Sequence, residues 1–240
     1  MNMPVGVIAS SLSLLIGGMI GALLGQKIPE RLRMALPLTF GLASMAMGLS
    51  YIVKLSTLPA VVLSLILGSI IGEFIKFEKG IEHCATLVQK PIEKMFKNSG
   101  SQDRMEFMEK FVGILVLFCA SGTGIFGALN EGITGDATVL FTKSFLDFFT
   151  AVIFAASLGV IVITIAVPQF AIMIVLYFSA SMIIPLTTPV MMSDFTSVAG
   201  IIMLAAGFRI CGIKLFPVAN MLPALLIVMP ISHIWVSIMP

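Results

Sequence analysis

The chain has 240 residues, of which 58% are hydrophobic and only 11% charged, with a formal net charge of +2. Mean hydropathy is +1.10. So few charges cannot cover the surface of a soluble domain, where about a quarter of residues are charged. The composition therefore excludes a cytosolic enzyme, a nucleic-acid binder and a secreted disulfide scaffold. It indicates one integral membrane domain over residues 1–240, with the lipid bilayer as its first partner.

A spanning helix needs about 20 mostly apolar residues. Eight such stretches are predicted, at about 5–25, 35–53, 58–77, 110–130, 142–166, 169–190, 197–213 and 219–238. The expected fold is an all-α polytopic membrane helix bundle. The first span carries Gly17, Gly21 and Gly25 at GxxxG spacing, which suits close helix packing within a protomer or a homo-oligomer contact.

Spans two and three resemble spans seven and eight. Residues 41–48 read GLASMAMG and residues 200–207 read GIIMLAAG. Each is followed by Leu-Pro-Ala, with cap candidates Ser56 and Asn220 three residues before the proline. The two units are five spans apart, so they run in opposite senses, as in the inverted repeats of secondary transporters.

Between spans three and four lies a polar cytoplasmic segment, about 76–110. Its apolar residues recur at helical spacing, which fits an amphipathic interfacial helix followed by a linker.

The fourth span contains Ser121-Gly-Thr123-Gly near the bilayer centre. Glycines and hydroxyls there predict a broken helix whose carbonyls and side chains could coordinate a cation or polar solute. Asn130, Glu131 and Asp136 follow in a glycine-flanked loop and are read as an outer vestibule or a solvated turn.

In the fifth span Asp147 sits among aromatics, with Lys143 four residues before it on the same helix face. A carboxylate in hydrocarbon is costly and usually faces a bundle interior or a water path. Pro168-Gln169 divides the fifth span from the sixth. Pro185-Leu-Thr187-Thr188-Pro189 is read as a second helix break, in span six, or as a helix end. Asp194 is expected to cap span seven. Arg209, near the inner end of that span, is expected to snorkel, to pair with an acid or to bind an anion.

Eight crossings with both termini outside place 12 of the 14 Lys and Arg residues on the cytoplasmic side. Only Lys54 and Lys143 fall outside. This positive-inside bias predicts that both termini lie outside.

Four stretches, 118–136, 143–151, PLTTP at 185–189 and 207–226, resemble the YqgA/YdfK family of bacterial inner-membrane proteins, and the resemblance extends over nearly the whole chain. It implies a cation path, as in a sodium channel or pump, and brings no catalytic residue.

The expected function is transport of a small cation, or of a solute coupled to sodium or protons. The path would comprise Asp147, Ser121, Thr123, Asn130, Glu131, Thr187 and Thr188, with a monovalent cation at Ser121, Thr123 and Asp147. No organic cofactor and no nucleic acid are expected. The alternatives are a membrane scaffold or regulator acting through the 76–110 segment and an intramembrane protease using Ser121 with His233 or Asp136 with Asp147.

Overall fold

The computed structural model describes residues 3–24, 27–80, 111, 114–115, 117–119, 121–183 and 187–238. Among these residues every regular element is helical. α1 is Val5–Leu24, α2 Glu30–Ile52 and α3 Leu58–Phe74; α4 is Gly122–Thr134, α5 Thr138–Leu158 and α6 Ala166–Ile183; α7 is Pro189–Ile210, α8 the single turn Val218–Met221 and α9 Pro223–Ile238. Helix resumes at 77–80 after α3, and helical residues at 111, 114–115 and 117–119 precede α4.

α1, α2, α7 and the run Val218–Ile238 are each long and apolar enough to cross a bilayer, and the apolar run Thr138–Ala180, at 43 residues, is long enough for two crossings. The polarity is that of a membrane protein. Leu23, Leu42, Phe145, Val175 and Leu226 are exposed, while Ser10, Ser64, Gln169, Asp194 and Ser232 are fully buried. Lipid accepts the apolar outer faces, so serines and acids collect where helices meet.

Close backbone contacts fix the direction of each pair. A Cβ on Gly17 would stand 2.4 Å from the Phe148 carbonyl oxygen, and one on Gly21 would stand 2.2 Å from that of Val152. α1 and α5 therefore run parallel, and these two glycines are occupied within the chain. Gly25 lies outside the described residues. α2 and α7 run antiparallel, with Gly41 against Gly207 and Gly48 against Gly200. α3 and α9 are also antiparallel, since Gly68 meets Ala224 and Gly72 meets Asn220.

Two boundaries differ from the sequence expectation. The fifth and sixth spans part at Gly159, not at Pro168-Gln169. Gly159 has φ +74° and opens a 3-10 turn, Gly159–Ile165. Gln169 hydrogen-bonds Asp147, 22 residues earlier. A straight helix would hold them about 33 Å apart, so the chain reverses between them. Pro168 falls in the first turn of α6, where a missing N–H costs nothing.

The seventh span begins at Pro189 rather than 197. Thr188 is its N-cap, accepting from the Met191 N–H at 3.3 Å, and Pro189 takes the first helical position. Thr187 and Thr188 thus precede α7, in keeping with the helix-end reading of PLTTP, and Pro185 and Leu186 lie outside the described residues. As a consequence Asp194 lies within α7 and caps α3 instead. Its Oδ1 accepts from the N–H groups of Ser56 (3.1 Å) and Thr57 (2.7 Å), and its Oδ2 accepts from the Ser232 hydroxyl at 2.7 Å.

The predicted repeat caps act differently from expectation. The N-cap position of α3 is Thr57, and Ser56 contributes its backbone N–H to Asp194. Asn220 lies in α8; its Oδ1 accepts from the Glu78 N–H at 2.7 Å, so it caps the helix at 77–80. The predicted amphipathic segment lies, from residue 81 to 110, outside the described residues.

Candidate functional site in the helix bundle

A cavity of about 620 Å³ lies inside the bundle. α2 contributes Phe40 and Ser44, α4 contributes Ser121 and Thr123, and α5 contributes Lys143, Asp147 and Thr150. Glu78 and Arg209 also line it. Most of the wall is aromatic or aliphatic, with these few polar groups set into it.

The break predicted in span four supplies one wall. Residues 117–119 are helical, Ser121 is extended (ψ 133°), and α4 begins at Gly122. The Ser121 hydroxyl accepts from the Gly124 N–H at 3.1 Å, so it acts as the N-cap of α4. The positive end of the α4 dipole therefore starts in the cavity wall.

The adjoining wall, on α5, carries the charged pair. Lys143 and Asp147 are one helical turn apart on α5 and form a salt bridge. They are only 3% and 6% exposed. Gly124 makes room for the lysine, because a Cβ there would stand 2.9 Å from Lys143 Cε. Asp147 Oδ2 also accepts from the Ser10 hydroxyl at 3.0 Å and from Gln169 Nε2 at 2.9 Å. Gln169 Nε2 donates to Ser10 Oγ as well, at 2.9 Å. One carboxylate oxygen thus joins α1, α5 and α6. Three donors, one of them the paired ammonium, compensate the desolvation of the carboxylate.

At the other polar position Arg209 Nη1 donates to Glu78 Oε1 at 2.5 Å and to the Phe216 carbonyl at 3.2 Å. Of the roles foreseen for Arg209, pairing with an acid is the one observed. Asn220 Nδ2 donates to Glu73 Oε2 at 2.5 Å beside it.

Of the predicted path residues, Asp147, Ser121 and Thr123 meet on the cavity wall, together with Lys143 and Arg209. Asn130, Glu131, Thr187 and Thr188 do not line it. Glu131 is 3% exposed and accepts from the Gly6 and Val7 N–H groups at 2.8 and 3.2 Å, capping α1. Asn130 Nδ2 donates to the Asp136 carbonyl at 3.2 Å. Asp136 caps α5 by accepting from the Thr138 N–H at 2.9 Å. Hydrogen bonds from Thr138 hold its carboxyl below the usual value, and Lys54 adds to this. His233 is exposed on α9, whereas the Ser121 hydroxyl is engaged by α4. Among the described residues no group of three or more His, Cys, Asp or Glu is gathered to hold a metal ion.

Sequence reasoning missed Ser10, Gln169, Ser44 and Glu78. A signal existed for Gln169, a lone amide in an apolar stretch, but beside Pro168 it read as a boundary.

Residues 5–233 match the family model described as "Protein of unknown function (DUF554)". The chain is 51% identical over 236 residues to "Uncharacterized protein YqgA" of Escherichia coli (strain K12), covering 98% of this chain and 99% of that one. It is 26% identical over 226 residues to "Uncharacterized membrane protein YdfK" of Bacillus subtilis (strain 168), covering 92% and 93%. No solved structure matches.

Proposed function

For this chain, which belongs to the DUF554 family, we propose the role of a membrane carrier that moves a small, partly apolar solute in exchange or symport with a cation. The carrying observation is the buried Lys143–Asp147 pair on the wall of a cavity of about 620 Å³ in a multi-pass bundle. Cavities of about 300–1,000 Å³ with apolar walls and a few polar groups suit organic solutes. A bare cation needs instead a continuous file of oxygen ligands to replace its hydration. The solute-coupled form of the transport reading therefore fits the cavity better than a simple sodium pore.

Coupling follows from competition for one carboxylate. With Asp147 ionised, the Lys143 ammonium is held against it. A coupling cation, sodium or a proton, that neutralises Asp147 frees the ammonium to face the cavity beside the α4 N-terminus. Both would then attract an electron-rich group on the solute. In this reading Arg209 and Glu78 close the cytoplasmic end, and the protein resides in the inner membrane with both termini outside. No covalent step is involved.

The inverted-repeat reading is supported by the α2–α7 crossing. If Gly41 is equivalent to Gly200 and Gly48 to Gly207, a two-fold relation turns the contact 41–207 into the contact 200–48, and both occur. The scaffold alternative depends on the segment 81–110, outside the described residues.

The test is thermal unfolding of the purified protein in sodium, potassium, lithium and choline chlorides at equal ionic strength and across pH, in wild type and Asp147→Asn. A ligand at 100 times its Kd stabilises by about 2.7 kcal/mol. Stabilisation by one cation or by protons, absent in Asp147→Asn, is expected. Identical curves for both proteins under every condition would remove Asp147 from the mechanism.

A further inference from the structure

Gln169 is fully buried, and its Oε1 has no hydrogen-bond partner among the described residues. Its orientation has a definite cause. The Ser10 hydroxyl proton is directed to Asp147 Oδ2, so Ser10 presents a lone pair to Gln169. Asp147 Oδ2 is itself an acceptor. Both neighbours therefore demand the amide N–H₂, and turning the amide over would set Oε1 against two acceptors. Oε1 is thereby left without a donor, at a cost.

Protonation of Asp147 reverses this preference. A carboxylic O–H at Oδ2 offers a donor where the carboxylate offered only an acceptor. Lys143 Nζ, Ser10 Oγ and Gln169 Nε2 already converge on Oδ2. That crowding leaves no place at Oδ2 for a hydrated metal ion, whereas a proton needs none. Resting on the carrier reading above, we infer that the coupling cation is the proton and that Gln169 is the positioning residue that registers it. When the proton adds to Oδ2, the Gln169 amide turns over and Oε1 accepts the new O–H. No bond within Gln169 breaks. Lys143 is released at the same step, and the Nε2 link to Ser10 on α1 is lost. The junction of α1, α5 and α6 is thus set by the charge of one side chain.

Among the described residues the titratable groups facing Asp147 are Lys143 on α5 itself and Cys119, which feels both charges. α1 and α6 face it with the neutral Ser10 and Gln169, and α4 faces Lys143 with Gly124.

The experiment is infrared titration of the Asp147 carboxyl stretch in the purified, lipid-reconstituted protein, assigned by difference against Asp147→Asn. Gln169→Leu removes a donor to the ionised form, so the Asp147 midpoint should rise by about one pH unit or more. Ser10→Ala should move it the same way by less. These two variants serve in turn should either fail to fold. In wild type, a side-chain amide band absent from Gln169→Leu should shift with the same midpoint as the Asp147 band. An Asp147 midpoint unmoved in both variants, or an amide band that ignores the Asp147 titration, overturns the role of Gln169 and leaves the carrier reading standing. No Asp147 titration at all between about pH 4 and 10, with sodium stabilising the wild type but not Asp147→Asn, overturns the proton and keeps the carrier. No titration and no cation effect overturns both.

Discussion

Asp194, Glu131 and Asp136 hold helix ends, whereas Asp147 and Glu78 each hold a charge. Asp194 is fully buried and satisfied by two backbone N–H groups and a hydroxyl. Its removal strips the α3 N-terminus of its cap, so Asp194→Ala should lower stability by about 3 kcal/mol or more, read as a fall in melting temperature in detergent. Ser232→Ala should cost about 1 kcal/mol. Asp136 titrates in the opposite direction to a buried acid. Its folded pKa is depressed, so its contribution is present above the unfolded carboxyl pKa and disappears as pH falls through the folded one. Asp136→Asn should therefore lower the melting temperature near pH 8 and flatten the acid limb of the profile, the two proteins converging as pH falls. The Lys143–Asp147 pair was legible in the sequence because its partners are four residues apart. Glu131 and Asp194 were not, because the amides they cap lie 125 and 138 residues away. An acid in an apolar run announces itself as exceptional; it does not announce which helix end it serves.

Among the elements, the α2–α7 crossing is the clearest. A Cβ on Gly48 would stand 2.6 Å from the Gly200 carbonyl oxygen, which is backbone and cannot swing away. Gly48→Ala should therefore cost about 1–3 kcal/mol through forced separation of the helices. Among the described residues a Cβ on Gly80 meets nothing within 4 Å, so Gly80→Ala should be neutral or slightly stabilising in the same melting assay. The seven-residue glycine spacing in 41–48 and 200–207 was visible in the sequence; that each glycine pair receives the other was not. The broken helix at Ser121 was also legible, since glycine and hydroxyl residues cluster there at mid-span depth. The reversal at Gly159 was hidden because Pro168 looked the stronger breaker. Position within a helix decides what proline does, and Pro168 occupies a first turn that tolerates it.

For the whole molecule, hydropathy carried most of the fold, because a bilayer forces backbone pairing within each helix and leaves few architectures. The site was less legible: its wall is assembled from α2, α4, α5, α7 and Glu78, which no local pattern connects. A carrier must open this cavity in turn to both sides of the membrane. Thr150 lines it without a role in capping or pairing α4 or Asp147. In a background with Cys84, Cys119 and Cys211 replaced, Thr150→Cys can be probed with a membrane-impermeant thiol reagent applied to right-side-out and inside-out vesicles separately. Labelling from both sides, with one side suppressed in Asp147→Asn, is the predicted result. Labelling from neither side, or from one side only and equally in both proteins, would contradict a carrier.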